Sequence, residues 1–223
     1  MPDAPSAPAA LGAPRRALRA DAERNRRLIL DAAAAIFAER GLDAGVAEIA
    51  ARAGVGSATV FRRFPTKQDL IVAVVEARIA EMGDELEVAL RADDPWSGLV
   101  AAMEAIARVQ ARDRGLFEAI GGTVSADEHL HARHAELLVL IEAIADRAKA
   151  AGSLREDVAA TDLPLLAAAA AGTCQIAAEP DDLWRRYLGI MLDGLRPDAA
   201  TPLPVPARTM AEILEAKARA ARG

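Results

Sequence analysis

"AGVGSATVFRRFPTKQDL", residues 53–70, is the stretch whose reading decides the fold. It sets Arg62, Arg63 and Lys67 on and just after one very short apolar helix, with Gly54 and Gly56 before it and Pro65 behind it. A glycine is the residue that most cheaply takes the left-handed turn ending one helix, and a proline cannot continue the next. The segment therefore reads as a sharp turn and a helix over 57–64. Val60 and Phe64, four apart, are predicted to face inward, Phe61 to lie at the boundary, and Ser57, Thr59, Arg62 and Arg63 to face outward. Hydroxyls and guanidinium groups suit base edges and phosphates, and arginine pairs bidentately with guanine. Lys67 adds an ammonium where a fourth helix starts, beside a positive helix end.

Outward from this stretch the periodicity stays helical. From Asp21 an amphipathic helix carries Leu28, Ile29, Ala32, Ala33, Ile36 and Phe37 on one stripe and ends at Gly41. A second, short helix covers 46–53, with Ile49 and Ala50 inward. Two short helices joined by a glycine turn and braced by a longer one form a helix-turn-helix arrangement. Thr66-Lys67-Gln68-Asp69 has the form of a capping box that opens a helix of about six turns. Its apolar residues are Ile71, Val75, Ile79, Met82, Leu86 and Leu90. Asp94-Pro95 starts the next helix, over 96–112. Further helices are expected over 116–120, 126–151, 162–178 and 181–195. No strand and no repeat is expected, so the fold class is all-α. Its parts are a leader over 1–20 read as disordered, a helix-turn-helix domain over 21–66, a helical ligand-binding and dimerisation domain over 67–196, and a proline-containing tail over 197–223.

Charge divides along the same line. Residues 15–67 hold eleven Lys/Arg against six Asp/Glu, a net of +5, while the whole chain carries −6, which leaves −11 for the rest. A basic end on an acidic body suggests one face for polyanions and another for something else; a merely solvated charged surface is the plainer reading. Apolar residues make up 52% of the chain and aromatics only 3%, a bias toward closely packed helices. Cys174 is the one cysteine, so no internal disulfide forms, and a reducing cytoplasm is expected. No signal peptide and no membrane span is expected.

These residues also carry a family resemblance. "AERNRRLILDAAAAIFAERGLDAGVAEIAARAGVGSATVFRRFPTKQDLI" resembles the N-terminal domain of the TetR (tetracycline repressor) family of bacterial regulators. The body, through "DPWSGL", "QARDRGLFEAIGG" and "WRRYLGIMLDGLRPDAATPLP", is similar to an SbtR-like actinobacterial subgroup. The resemblance implies an all-helical homodimer with a DNA-binding head and a larger ligand-binding body. It assigns the base- and phosphate-contacting roles to Ser57, Thr59, Phe61, Arg62, Arg63 and Lys67. Phe61 stands where a tyrosine is usual in the family, so a phosphate hydrogen bond from that hydroxyl is lost.

In the body, Leu183, Trp184, Tyr187, Leu188, Met191, Leu192 and Leu195 form a stripe wide enough to serve a four-helix interface across a two-fold axis, with intrachain core as the other reading. Trp96, Met103, Phe117, His134, Cys174 and Gln175 are candidate pocket residues, each also readable as ordinary core. His131 and His134 share a helix face but lack the acid or cysteine that would complete a ligand set, so no metal and no cofactor is expected. No phosphate loop, nucleophile elbow or acid/base pair marks an enzyme. The tail, "ATPLPVPARTMAEILEAKARAARG", joins a proline linker to a capped helix over 209–222 that would dock on the body, bind a partner or stay disordered. The expected function is a ligand-responsive repressor that binds a near-palindromic double-stranded operator as a homodimer, with a small-molecule effector. A DNA-binding architectural protein without a ligand is the alternative, and a cavity in the body would separate the two.

Overall fold

A computed structural model describes residues 13–112, 128–175, 182–199 and 201–220, and among these every regular element is helical. The chain divides between Val74 and Val75 into two compact units.

The first unit holds α1 (Ala13–Arg40), α2 (Val46–Arg52), α3 (Ser57–Arg63) and the opening turns of α4 (Lys67–Leu90). α1 begins eight residues before the expected Asp21, so positions 13–20, read from sequence as part of a disordered leader, are helical. The physical reason is local: Pro14 falls in the first turn, where its missing N–H costs nothing, and Arg15–Ala22 is rich in Ala, Arg and Leu, all strong helix formers. Ile29, Ala33, Ile36 and Phe37 are buried as expected, whereas Leu28 is exposed and Leu30 and Ala34 take its place inside. With Ile49, Val60, Phe64 and Leu70 they form one small apolar core. The Gly41 N–H closes α1 on the Phe37 carbonyl at 2.9 Å with φ +73°, the left-handed stop expected there.

The second unit contains the rest of α4, then α5 (Pro95–Arg112), α6 (Glu128–Ala150), α7 (Asp162–Gly172), α8 (Leu183–Gly194) and α9 (Met210–Ala220). A single 3₁₀ turn, Thr173–Gln175, follows α7, and another, Pro197–Ala199, follows α8. The expected helix over 116–120 lies outside the described residues.

α5 is the central post, packed by α6, α7 and α8. Ala102, Ala105 and Ala107 on α5 and Ala167, Ala170 and Ala171 on α7 are all buried, and such small side chains let helix backbones approach closely. The α4–α5 corner is tight for the same reason: a Cβ on Gly98 would stand 2.5 Å from the Ala89 carbonyl oxygen. Asp94 caps α5 through the Ser97 N–H at 2.9 Å and hydroxyl at 2.6 Å, which hold its carboxyl below the usual carboxylate range. The Arg147 guanidinium donates to the Leu90 carbonyl and, at 2.9 Å, to the Ala92 carbonyl, satisfying oxygens left over at the end of α4.

The tail is attached. Arg155, 8% exposed, grips the Asp157 carboxylate at 2.6 and 2.8 Å and donates to the Thr201 carbonyl. The Thr161 hydroxyl donates to the Arg208 carbonyl at 2.9 Å. Thr209 and Glu212 then form a reciprocal capping box that opens α9.

Candidate nucleic-acid interface

The α2–α3 turn is built by backbone hydrogen bonds. The Gly54 N–H reaches the Ala51 carbonyl at 3.2 Å and the Val55 N–H reaches the Ala50 carbonyl at 3.0 Å, the two bonds of a Schellman stop. Gly54 sits at φ +69°, a region in which a side chain strains the backbone. Val55 is half-buried in the resulting angle. α3 then starts from Gly56 in an extended conformation and ends at Phe64, also extended, directly before Pro65.

Val60 and Phe64 are 1% and 5% exposed, as their spacing predicted, and they anchor α3 to the core. Its outward face carries Ser57 and Thr59, both half-buried, and the exposed Phe61, Arg62 and Arg63. Phe61 is not at the boundary expected for it: it is 49% exposed, although its helical phase lies between those of Phe64 and Arg62. Arg62 donates to the Thr59 hydroxyl at 3.2 Å, which orders one guanidinium along the helix. Arg63 reaches back to α1, donating to the Ala22 carbonyl at 3.3 Å and standing 3.5 Å from Glu23. The Arg26 guanidinium lies 6.0 Å from the Phe64 ring centroid.

Lys67 is held by the expected capping box. The Thr66 N–H and hydroxyl donate to Asp69 at 2.9 and 2.7 Å, and the Asp69 N–H returns a bond to the Thr66 hydroxyl at 3.1 Å. Arg52 bonds Glu39 at 2.7 Å and Arg40 pairs with Glu48, so α1 and α2 are laced at the surface; the first contact draws the Glu39 carboxyl below its usual range.

Residues 29–74 match the model of bacterial regulatory proteins of the tetR family, and residues 94–197 match the C-terminal domain of SbtR-like transcriptional regulators. A TetR transcription regulatory protein from Mycobacterium vanbaalenii is 35% identical, with TM-score 0.63 over 80% of this chain and 99% of that one. The TetR transcriptional regulator SCO0520 from Streptomyces coelicolor is 33% identical, with TM-score 0.64 over 77% and 98%. The chain belongs to the TetR family. Among curated proteins it is 41% identical over 80 residues to the HTH-type transcriptional repressor LfrR of Mycolicibacterium smegmatis, a match over 36% of this chain and 40% of that protein. The chain thus spans about two-fifths of the length of the curated relatives it matches.

TetR-family proteins are transcriptional regulators rather than enzymes. The body of this member departs from the residues picked out in its sequence. Leu188, Trp184 and Leu195 are 1%, 5% and 5% exposed within one chain, so each packs in the body's own core. Of that stripe only Tyr187 is well exposed, Leu183 and Met191 are half-buried, and Ile190, absent from it, is 58% exposed. The reason is that α8 packs against both α5 and α7, and two packing partners use up most of a wide apolar stripe.

The described candidate pocket residues fall on α5, α6 and the 3₁₀ turn after α7. Met103 is fully buried in the α5 core, and His134 is exposed on α6. Trp96 is half-buried beneath the Arg196 guanidinium, which stands 3.6 Å from its ring centroid. Cys174 is half-buried in the 3₁₀ turn, Phe117 lies outside the described residues, and so does the side chain of Gln175. A groove of about 420 Å³ lies elsewhere, between α4, α5 and α8. Its apolar lining includes Val88, Ala101 and Trp184, and its charged lining Glu85, Glu104, Arg108 and Arg185. Arg108 pairs with Glu85, and Arg185 lies 3.8 Å from Glu104 and 4.7 Å from the Trp184 ring centroid. No spacing rule in the sequence brings these three helices together.

Proposed function

We propose that this TetR-family chain is a DNA-binding transcriptional repressor that reads a near-palindromic operator as a homodimer and releases it when a small molecule binds the body. The observation that carries this reading is the outward face of α3, where Ser57, Thr59, Phe61, Arg62 and Arg63 lie together, with Lys67 at the capped start of α4. In this reading the arginines take base edges and phosphates, Phe61 packs against sugar or a thymine methyl, and Lys67 binds a phosphate. Residues 21–66 serve as the DNA-binding head, 67–196 as the effector and dimer body, and the site of action is the cytoplasm. Among the described residues no helix is long and apolar enough to cross a membrane.

The dimer face is assigned to the outer sides of α7 and α8, where Leu165, Tyr187 and Ile190 are 42%, 41% and 58% exposed. The α4–α5–α8 groove is the effector site. α4 runs without a break from Lys67 to Leu90, so a shift of its groove end is passed to the head. That alters the separation of two recognition helices, which must sit about 34–36 Å apart to enter successive major grooves. An effector with about a hundredfold preference for the wrong separation supplies about 2.7 kcal/mol.

The test is selection of duplexes from a randomised pool by the full-length chain. The expected outcome is an inverted repeat with half-site centres one helical turn apart, bound by a dimer. Recovery of unrelated sequences, or binding without sequence preference, would overturn the reading.

A further inference from the structure

We propose that segment 201–209 is a strap that clasps a second copy of this chain, extending the dimer face of α7 and α8. The inference rests on the dimer reading above and adds a surface to it. Every residue from Thr201 to Thr209 is exposed, with Leu203 at 46% and Val205 at 71%. The segment is nevertheless tied down. The Arg155 guanidinium donates to the Thr201 carbonyl, the Leu203 N–H donates to Asp157, and the Thr161 hydroxyl donates to the Arg208 carbonyl. Pro202, Pro204 and Pro206 fix φ at three further positions. An ordered segment with apolar side chains outward has already lost the freedom that binding would otherwise take from it.

The same ties place the strap. The Arg155 N–H reaches the Leu195 carbonyl at 3.1 Å, and its guanidinium reaches the Gly194 carbonyl at 3.4 Å. The strap therefore starts at the C-terminal end of α8. Thr161 immediately precedes α7, so the strap finishes at the N-terminal end of α7. Leu165 lies in the first turn of α7 and Ile190 one turn before the end of α8, so these two exposed residues lie near the same end of the pair.

Area selects the occupant. A large apolar side chain offers about 150–250 Å² when whole, so Leu165, Tyr187 and Ile190, each about half exposed, present on the order of 300 Å². A stable interface takes about 800 Å² from each partner, more than half of it apolar. Leu203 and Val205 add roughly 200 Å², which closes the gap. Across a two-fold axis each strap lies on the other chain's α7–α8 face, so every strap contact is made twice. Tyr187 of that second copy is an exposed aromatic there, and proline-rich segments dock on aromatic side chains.

The test measures the dimer dissociation constant of the full-length chain by sedimentation over a dilution series. Leu203→Ser/Val205→Ser should raise it about tenfold or more, since four apolar side chains leave the interface. Both sites are exposed in one chain, so helical circular dichroism should stay at the wild-type level. Val139→Ser, at a 65% exposed site on α6, should leave the constant unchanged. A second measurement fixes where the strap lies. In a Cys174→Ser background, Ala207→Cys carries a benzophenone and is mixed with Cys174→Ser chains bearing an affinity tag. Irradiation should join the strap to α7 or α8 of a tagged chain, read by mass spectrometry of the linked peptides. An unchanged constant in the double variant, an equal loss from Val139→Ser, or links confined to the strap's own chain would overturn this inference and leave the dimer standing. A wild-type chain that is monomeric at micromolar concentration overturns both proposals.

Discussion

The two units of this chain were built from similar residues and differ in how far local sequence governs them. In the head, α2, the turn and α3 span fewer than twenty residues, and their inward positions follow from spacing alone: Ile49, Val60 and Phe64 are all buried where their period puts them. In the body, the same kind of apolar stripe on α8 is divided between two neighbours, and Leu188 and Ile190 end up on opposite sides of the helix, one buried and one exposed. A short motif with one packing partner has one answer. A wide stripe among several helices has more than one, and which residues remain outside depends on the partners.

The comparison is broken most directly at α8. Leu188→Glu is expected to unfold the body, because a carboxylate at a 1% exposed site has no partner there; loss of several kcal/mol would appear as a lowered urea midpoint and lost helical circular dichroism. Ile190→Glu should leave both unchanged and give monomers in sedimentation at micromolar concentration. A folded monomeric Leu188→Glu protein would return that residue to the dimer face and reverse the assignment made above.

In the head the largest effect is expected from Arg62→Ala. It should cost about 1–3 kcal/mol in operator affinity and relax preference at one base position, read by binding to a panel of single-base variants. Equal affinity across the panel before and after substitution would remove Arg62 from base contact. Gly54→Ala tests the turn rather than the contact: its φ of +69° should cost the head about 1–2 kcal/mol, measured by thermal melting, with little change in the salt slope. A melting curve equal to wild type would mean the turn adapts. Lys67→Ala sharpens the picture further, lowering the salt slope by about one per half-site and weakening all duplexes alike. A sequence-selective loss would mean that Lys67 reads a base instead.

The smallest effect is a pH response confined to the body. The hydrogen bonds from Arg155 hold the Asp157 carboxyl below the usual range. A lowered folded-state pKa stabilises the fold fully above the unfolded value of about 3.9, and that contribution is lost as pH falls through the folded value. Asp157→Asn should therefore flatten the acid limb of body stability and leave Gly54-sensitive melting of the head as it was. An unaltered acid limb would show that Asp157 adds nothing measurable.

The residues alone determined the helix-turn-helix, its inward pair Val60 and Phe64, the arginine face, the Thr66–Asp69 capping box and the all-helical class. Each of these depends on neighbours within a turn or two, where helical period and cap chemistry leave little choice. Composition also marked the N-terminal basic run, but read its prolines and alanines as a disordered leader, although a proline in a first turn is compatible with the helix that α1 makes from Ala13. Only the tertiary structure decided the rest. The groove joins Glu85, Glu104 and Trp184 from three helices, and the Arg155 clamp joins the α6–α7 connection to the tail at Thr201. Such sites depend on the angles and distances between helices far apart in sequence, and those are set by packing of side chains that no single periodic stripe records.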